Sequence, residues 1–142
     1  MEGDRDKSKR PLMGDIANKY CDKIYLTDDN PRFENPKVIR DQIKRKIKKK
    51  KYIEIFSRSD AISKAVSELN SGDILIVAGK GHENYQEYKK RLFFSDKLEI
   101  IKAIRKKNNL LSNSLKTNIL IEILKNKILK KRTLINLSLI HI

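Results

Sequence analysis

Residues 73–79, "DILIVAG", form an unbroken apolar run between an aspartate and a glycine. A run of that length without polar alternation suits a strand covered on both faces, as in a parallel sheet with helices above and below. The flanking segments fit such a sheet. "KIYLT" (23–27) and "YIEIF" (52–56) read as further strands. "PLMGDIANKYC" (11–21) opens on a proline, which suits a first helical turn. "NPKVIRDQIKRKIKKKK" (35–51) carries Val38, Ile39, Ile43 and Ile47 at helical spacing. "SRSDAISKAVSELNSG" (57–72) starts with N-cap residues, lines up Ile62, Ala65, Val66 and Leu69, and stops at Gly72. "SDKLEIIKAIRKKN" (95–108) opens with capping-box spacing between Asp96 and Glu99. The order is helix, strand, helix, strand, helix, strand, a hairpin-like stretch, then helix. It predicts an α/β fold, three layers deep and Rossmann-like, around a mostly parallel sheet.

In such sheets ligands gather beyond the carboxyl ends of the strands. Two polar loops stand there, "DDNPR" after the first strand and "GKGHENYQ" after the apolar one. In the second, Gly79 and Gly81 let backbone pass close to a ligand. Lys80 can meet a phosphate, Glu83 an ammonium group, and His82 is either a base or a structural residue. The loop is not a Walker pattern, since GxxxxGK[ST] is absent from the chain, and it lacks the third glycine of GxGxxG. "TDDNPR" (27–32) starts a turn readily. Its Arg32 can fork onto a carboxylate and its Asp29 can accept an amine, a pairing that suits a zwitterionic amino acid. A third cluster, "EGDRDKSKRPLM" (2–13), presents Arg5, Lys9 and Arg10 to phosphates or carboxylates; the alternative is a solvated terminus.

Composition narrows the partners. The chain has 142 residues, one domain's worth, with a net charge of +15. That charge raises an anionic partner, nucleic acid included. The densest basic run, residues 40–51, holds eight Lys or Arg in twelve positions but no interleaved aromatics for base stacking. It reads as a solvated helix face, and a small basic nucleic-acid-binding module stays the alternative. A single cysteine, Cys21, excludes an internal disulfide and a cysteine zinc cluster. His82 and His141 stand too far apart to suggest a metal site. A charged N-terminus and the absence of an 18-residue apolar run lead to the expectation of a soluble cytoplasmic protein without a signal peptide or spanning helix. From about Leu110 the chain changes character. Ile119, Leu120, Ile123, Leu124 and Ile128 would line a basic amphipathic helix, so residues 109–142 are expected to form a helical tail that the domain can lose.

Together and in this order, "GDRDKSKRPLM", "TDDNPR" and "AGKGHENYQ" resemble the C-terminal domain of the Mur ligases, with "SRSDAISKAV" matching the family's helix entry. The resemblance covers residues 2–107, and a domain over residues 1–108 is expected. The DNPR tetrad is similar to that of the members that add meso-diaminopimelate to UDP-N-acetylmuramoyl-L-alanyl-D-glutamate in peptidoglycan and cell-wall synthesis. By position, the resemblance implies that Arg5, Asp29, Asn30, Arg32, Gly79 and Glu83 contact meso-diaminopimelate. Pro31 would shape the turn, and Lys9 and Arg10 would face nucleotide phosphate. It implies an ATP-dependent amide-bond-forming ligase for the full-length enzyme, with Mg2+ as well.

The family's GTNGKT-like loop and carbamylated lysine are absent from this sequence. So is the strand expected just before "GDRD", and Glu2 and Ser8 stand where glycines are usual. The chain is therefore expected to be a fragment of that ligase whose first strand is missing. On that expectation it has no catalytic residues, binds neither cofactor and is inactive alone.

Overall fold

A computed structural model describes residues 7–80, 83–110 and 131–137, the last by backbone only. Four parallel strands form the main sheet: β1 (Lys23–Thr27), β2 (Tyr52–Glu54), β3 (Asp73–Val77) and β6 (Lys131–Leu137), in the order β2-β1-β6-β3. A separate antiparallel hairpin pairs β4 (Tyr85–Tyr88) with β5 (Lys90–Phe93), turning at Lys89 with φ 59°. Among the described residues, four α-helices accompany them: α1 (Lys9–Tyr20), α2 (Pro36–Lys44), α3 (Arg58–Glu68) and α4 (Asp96–Leu110). The chain is thus of the mixed α/β class, as the alternating pattern predicts.

β1 organises the two cores because its successive side chains face opposite ways. Ile24 and Leu26 join Ala17 of α1 and Ile39 and Ile43 of α2, while Tyr25 joins Ile62, Ala65 and Val66 of α3 and Ala103 of α4. Helices therefore cover both faces. Each set comes from one stripe of each helix, so burial rather than propensity holds the elements. Gly14 brings α1 against α2. A Cβ there would stand 2.0 Å from the Ile43 carbonyl oxygen, so only glycine permits this approach.

The helix starts follow local chemistry. The Asn35 side chain caps α2 by accepting from Lys37 N at 2.9 Å, with Pro36 in the first turn. Ser57 caps α3 by accepting from Asp60 N at 3.2 Å. The pattern predicts α2 through residue 51, but it stops at Lys44 and only a 3-10 turn (Lys49–Lys51) follows. Lysines 48–51 present no apolar stripe and repel along a helix. The chain there must also turn back into β2.

Two expectations about the sheet are corrected. β3 is not covered on both faces: Ile76 is 43% exposed, and no β3 residue falls in the buried class. Its apolar run suits a central strand, yet sheet order puts it at an edge, and β1 is the buried strand. The second correction concerns the tail. Residues 131–137 are not helical and do not lie apart from the domain. They run as β6 between β1 and β3, pairing Ile24 with Leu134 and Ile76 with Leu134. β1 and β3 make no pair with each other, so β6 supplies the hydrogen-bond partners for one edge of each. The helix expected around residues 119–128 lies outside the described residues.

Candidate functional site

β1 delivers residues 28–32 beyond its carboxyl end, where side chains and backbone pin them. Thr27 Oγ1 donates to the Phe56 carbonyl at 3.0 Å, and Asp28 N reaches the same oxygen at 3.3 Å. The Asp28 carboxylate is buried and accepts from Arg40 Nη1 and, at 2.9 Å, from Tyr88 OH. Burial and Asp28 push the Tyr88 phenol well above its ordinary value, so it stays a donor. Arg40 Nε donates to Glu54 at 2.7 Å, and Lys44 bonds the same carboxylate at 3.1 Å. Burial works against the Arg40 charge, but Glu54 and Asp28 outweigh it and raise its pKa. The Arg40 guanidinium also lies over the Phe56 ring, 4.2 Å from its centroid.

This network corrects the reading of residues 40–51 as a solvated face. Arg40 is 4% exposed, and Lys51 Nζ donates inward to the Asn18 carbonyl at 2.7 Å and the Cys21 carbonyl at 3.1 Å. Part of the basic run is internal wiring, so the run offers fewer charges to a polyanion than its composition suggests.

The second loop meets the first from across the sheet. Lys80 is 2% exposed, and its Nζ donates to the Tyr85 carbonyl and, at 3.3 Å, to Asn30 Oδ1. Asn30 Oδ1 also accepts from Glu87 N at 2.9 Å, while Asn30 Nδ2 donates to Glu83 Oε2 at 2.7 Å. Gln86 Nε2 donates to the Asp29 carbonyl at 3.0 Å. Arg32 completes the clasp through its backbone. Its N donates to the Glu87 carbonyl at 2.9 Å and its carbonyl accepts from Lys89 N at 3.2 Å. Arg32 holds φ 54°, the left-handed region that non-glycine residues seldom occupy, and surrounding bonds enforce it. Its side chain is 27% exposed, with Nε 3.5 Å from Glu87 Oε2.

The residues singled out in the sequence divide into three groups. Asp29, Asn30, Pro31, Arg32 and Glu83 converge at this clasp, with Asp29, Asn30 and Pro31 buried. Gly79 sits just before Lys80 with φ 117°, a backbone that favours glycine. Lys9 and Arg10 begin α1. The Arg10 fork is fully buried and spent on Glu34, at 2.8 and 3.1 Å, with Nη1 also 2.7 Å from Gln42 Oε1. Arg5 and His82 lie outside the described residues. Asp28, Arg40, Tyr88 and Gln86 support the clasp, yet none was selected from sequence. The available signal was the double aspartate and the arginine breaking an otherwise lysine-rich helix face.

Comparison with known proteins decides the family. A family model described as Mur ligase, glutamate ligase domain, matches residues 1–81, more than half of the chain. This chain belongs to the Mur ligase family. Similar proteins carry the name UDP-N-acetylmuramoyl-L-alanyl-D-glutamate--2,6-diaminopimelate ligase. The Rickettsia typhi protein is 58% identical over 84 residues, covering 59% of this chain and 17% of its own length. The protein from Caldanaerobacter subterraneus subsp. tengcongensis is 52% identical over 104 residues, covering 72% of this chain and 22% of its own length. The Chlorobaculum tepidum protein is 51% identical over 85 residues, covering 60% and 17%. The chain thus spans 17–22% of these curated relatives. Within this Mur ligase chain the clasp joins two parts of the family match, residues 28–32 and 79–80, to residues 83–89 just beyond it. Among the described residues no cluster of His, Cys, Asp or Glu has the makings of a metal site. No described helix is long and apolar enough to cross a membrane.

Proposed function

We propose that this chain holds the amino-acid substrate for a Mur ligase that joins meso-diaminopimelate to UDP-N-acetylmuramoyl-L-alanyl-D-glutamate. The observation that carries the reading is the clasp. A partly exposed guanidinium, Arg32, stands on the same fold-back as the Asn30–Glu83 pair. A carboxylate seeks a fork and an ammonium group seeks carboxylates, and both kinds of group are present. In this reading Arg32, helped by Arg5, takes the distal carboxylate. Asp29 and Glu83 take the distal ammonium, Asn30 and Pro31 hold the loop, and the Gly79 backbone lets the ligand approach. Meso-diaminopimelate differs from lysine by that distal carboxylate, so an arginine left unpaired by lysine discriminates against it.

Arg10 is a strut in this account, and Lys9 keeps the expected role toward phosphate. ATP and Mg2+ serve the whole enzyme. Lys80, the cation of the glycine loop, is buried against Asn30 and the Tyr85 carbonyl rather than presented to a phosphate. The chain alone is therefore expected to bind the amine without forming the amide bond. The parallel sheet is read as Rossmann-like. A single cysteine, Cys21, buried in the core, suits a reducing, cytoplasmic setting.

Titration of the 142-residue chain with meso-diaminopimelate and with L-lysine, followed by calorimetry and amide NMR, tests the reading. Saturable binding of the first, with shifts at Arg32 and Glu83, is expected. Arg32→Ala is expected to weaken it by about 10–100-fold, the scale of one lost charged hydrogen-bond pair. Equal affinity for lysine, or no binding, overturns the reading.

A further inference from the structure

We propose that Lys80 is a positioning residue for this amino-acid site, its buried ammonium group setting which way the Asn30 amide faces. The proposal rests on the reading of the site given above. An asparagine amide presents an acceptor at one end and two donors at the other, and a half-turn exchanges them. Three neighbours decide between the two states here. Lys80 Nζ, at 3.3 Å, and Glu87 N, at 2.9 Å, both offer hydrogens to one end. The Glu83 carboxylate, 2.7 Å from the other end, offers only lone pairs. Reversing the amide would set donors against a cation and a backbone N–H, and would set an oxygen against a carboxylate. Each contact then turns repulsive, and at Lys80 it does so in a buried place where water does not compensate.

Lys80 is the only full positive charge among these three neighbours, and its surroundings fix it. Its side chain is fully buried. The Tyr85 carbonyl accepts from it, and the Asp29 carboxylate lies 3.9 Å away. The rings of Tyr85 and Phe94 lie 5.5 and 5.6 Å from Nζ. Burial lowers the Lys80 pKa, and the Asp29 carboxylate is the main influence opposing that fall. One ammonium group thus links the loop after β1 to the segment that carries Glu83. Reaching Glu83 through the Asn30 amide, it also sets how that carboxylate is presented. The sequence suggests a phosphate ligand for this lysine; the structure instead turns it inward.

The experiment compares the 142-residue chain with its Lys80→Gln and Lys80→Arg variants. In the absence of ligand, NMR reads the Asn30 side-chain amide and its contact with the Glu87 amide proton. Lys80→Gln, which can donate but carries no charge, is expected to keep the backbone spectrum and shift or broaden the Asn30 amide signals. Lys80→Arg is expected to restore them in part. With ligand, the preference for meso-diaminopimelate over L-lysine is expected to fall about tenfold in Lys80→Gln, whereas mere loosening lowers both affinities alike.

An unmoved Asn30 amide in Lys80→Gln overturns the proposal, whether or not the chain binds either amino acid. An unmoved preference in a chain that does bind also overturns it. Loss of the fold in both variants assigns Lys80 a purely structural role and overturns it as well. Failure of the wild-type chain to bind meso-diaminopimelate instead counts against the site reading, while the ligand-free spectra still decide the orientation.

Discussion

Asn30 and Glu83 stand 53 residues apart in sequence and 2.7 Å apart in space, amide nitrogen to carboxylate oxygen. The bond closes two loops at the carboxyl ends of β1 and β3 over one another. Its partners arrive from both sides, since Asn30 Oδ1 is taken up by Glu87 N and Lys80 Nζ. A short polar side chain from the loop after β1 therefore gathers Lys80, Glu83 and Glu87, which lie 50, 53 and 57 positions away.

Asn30→Asp is nearly isosteric, yet it replaces the amide donor with an oxygen facing Glu83. Destabilisation of about 1–3 kcal/mol is expected, the scale of one buried polar group left with the wrong partner. Urea unfolding followed by circular dichroism checks it. Glu83→Gln in the same background is expected to recover part of the loss, because the carboxamide can donate where the carboxylate cannot. A double variant no more stable than Asn30→Asp would show that the two side chains are uncoupled.

Cutting the chain after Leu110 removes β6, which pairs with both β1 and β3. The expected outcome is a split sheet and loss of a single cooperative unfolding transition. The exposed backbone edges should also make the truncated chain associate. Thermal melts and light scattering read both. A truncated chain that melts as the full one does would restore the idea of a dispensable tail.

Acid should weaken the fold in a defined window. Bonds from Arg10 hold the Glu34 carboxyl below its ordinary 4.5 despite burial. At Glu68 burial alone would raise the value, but Lys23, Tyr25 and Lys64 pull it down to about 2. These groups bind protons more weakly in the folded chain than in the unfolded one. Their contribution is therefore complete above about pH 4.5 and drains as pH falls toward 2. Glu68→Gln is expected to flatten the fall of Tm across that window. High salt should narrow the difference, since Glu68 is partly exposed. Parallel Tm curves for the two proteins would remove Glu68 from the account.

Local chemistry made much of this molecule legible. The stripe Ile62, Ala65, Val66 with its Ser57 cap marked α3, and Asn35–Pro36 marked the start of α2. Asp29, Arg32 and Glu83 stand out as groups that suit a zwitterion in polar loops at strand ends, whereas Asn30 is reached only through the resemblance to the family. Arg40 does not stand out, because one arginine among lysines is a weak signal and the carboxylates that bury it lie outside its helix. Its partner Asp28 is 12 positions away, and its ring contact, Phe56, lies beyond β2.

By itself the sequence determined the starts of α2 and α3, set by their caps, and the two polar loops that follow β1 and β3. Tertiary structure alone decided that "KRTLINL" is an inner strand, that the apolar run of β3 lies at an edge, and that Lys80 faces Asn30. The physical reason is range. Caps and amphipathic stripes are settled within a few residues, whereas a strand's neighbour and a buried ion's partner are chosen among groups far along the chain, by which open edge or uncompensated charge must be covered.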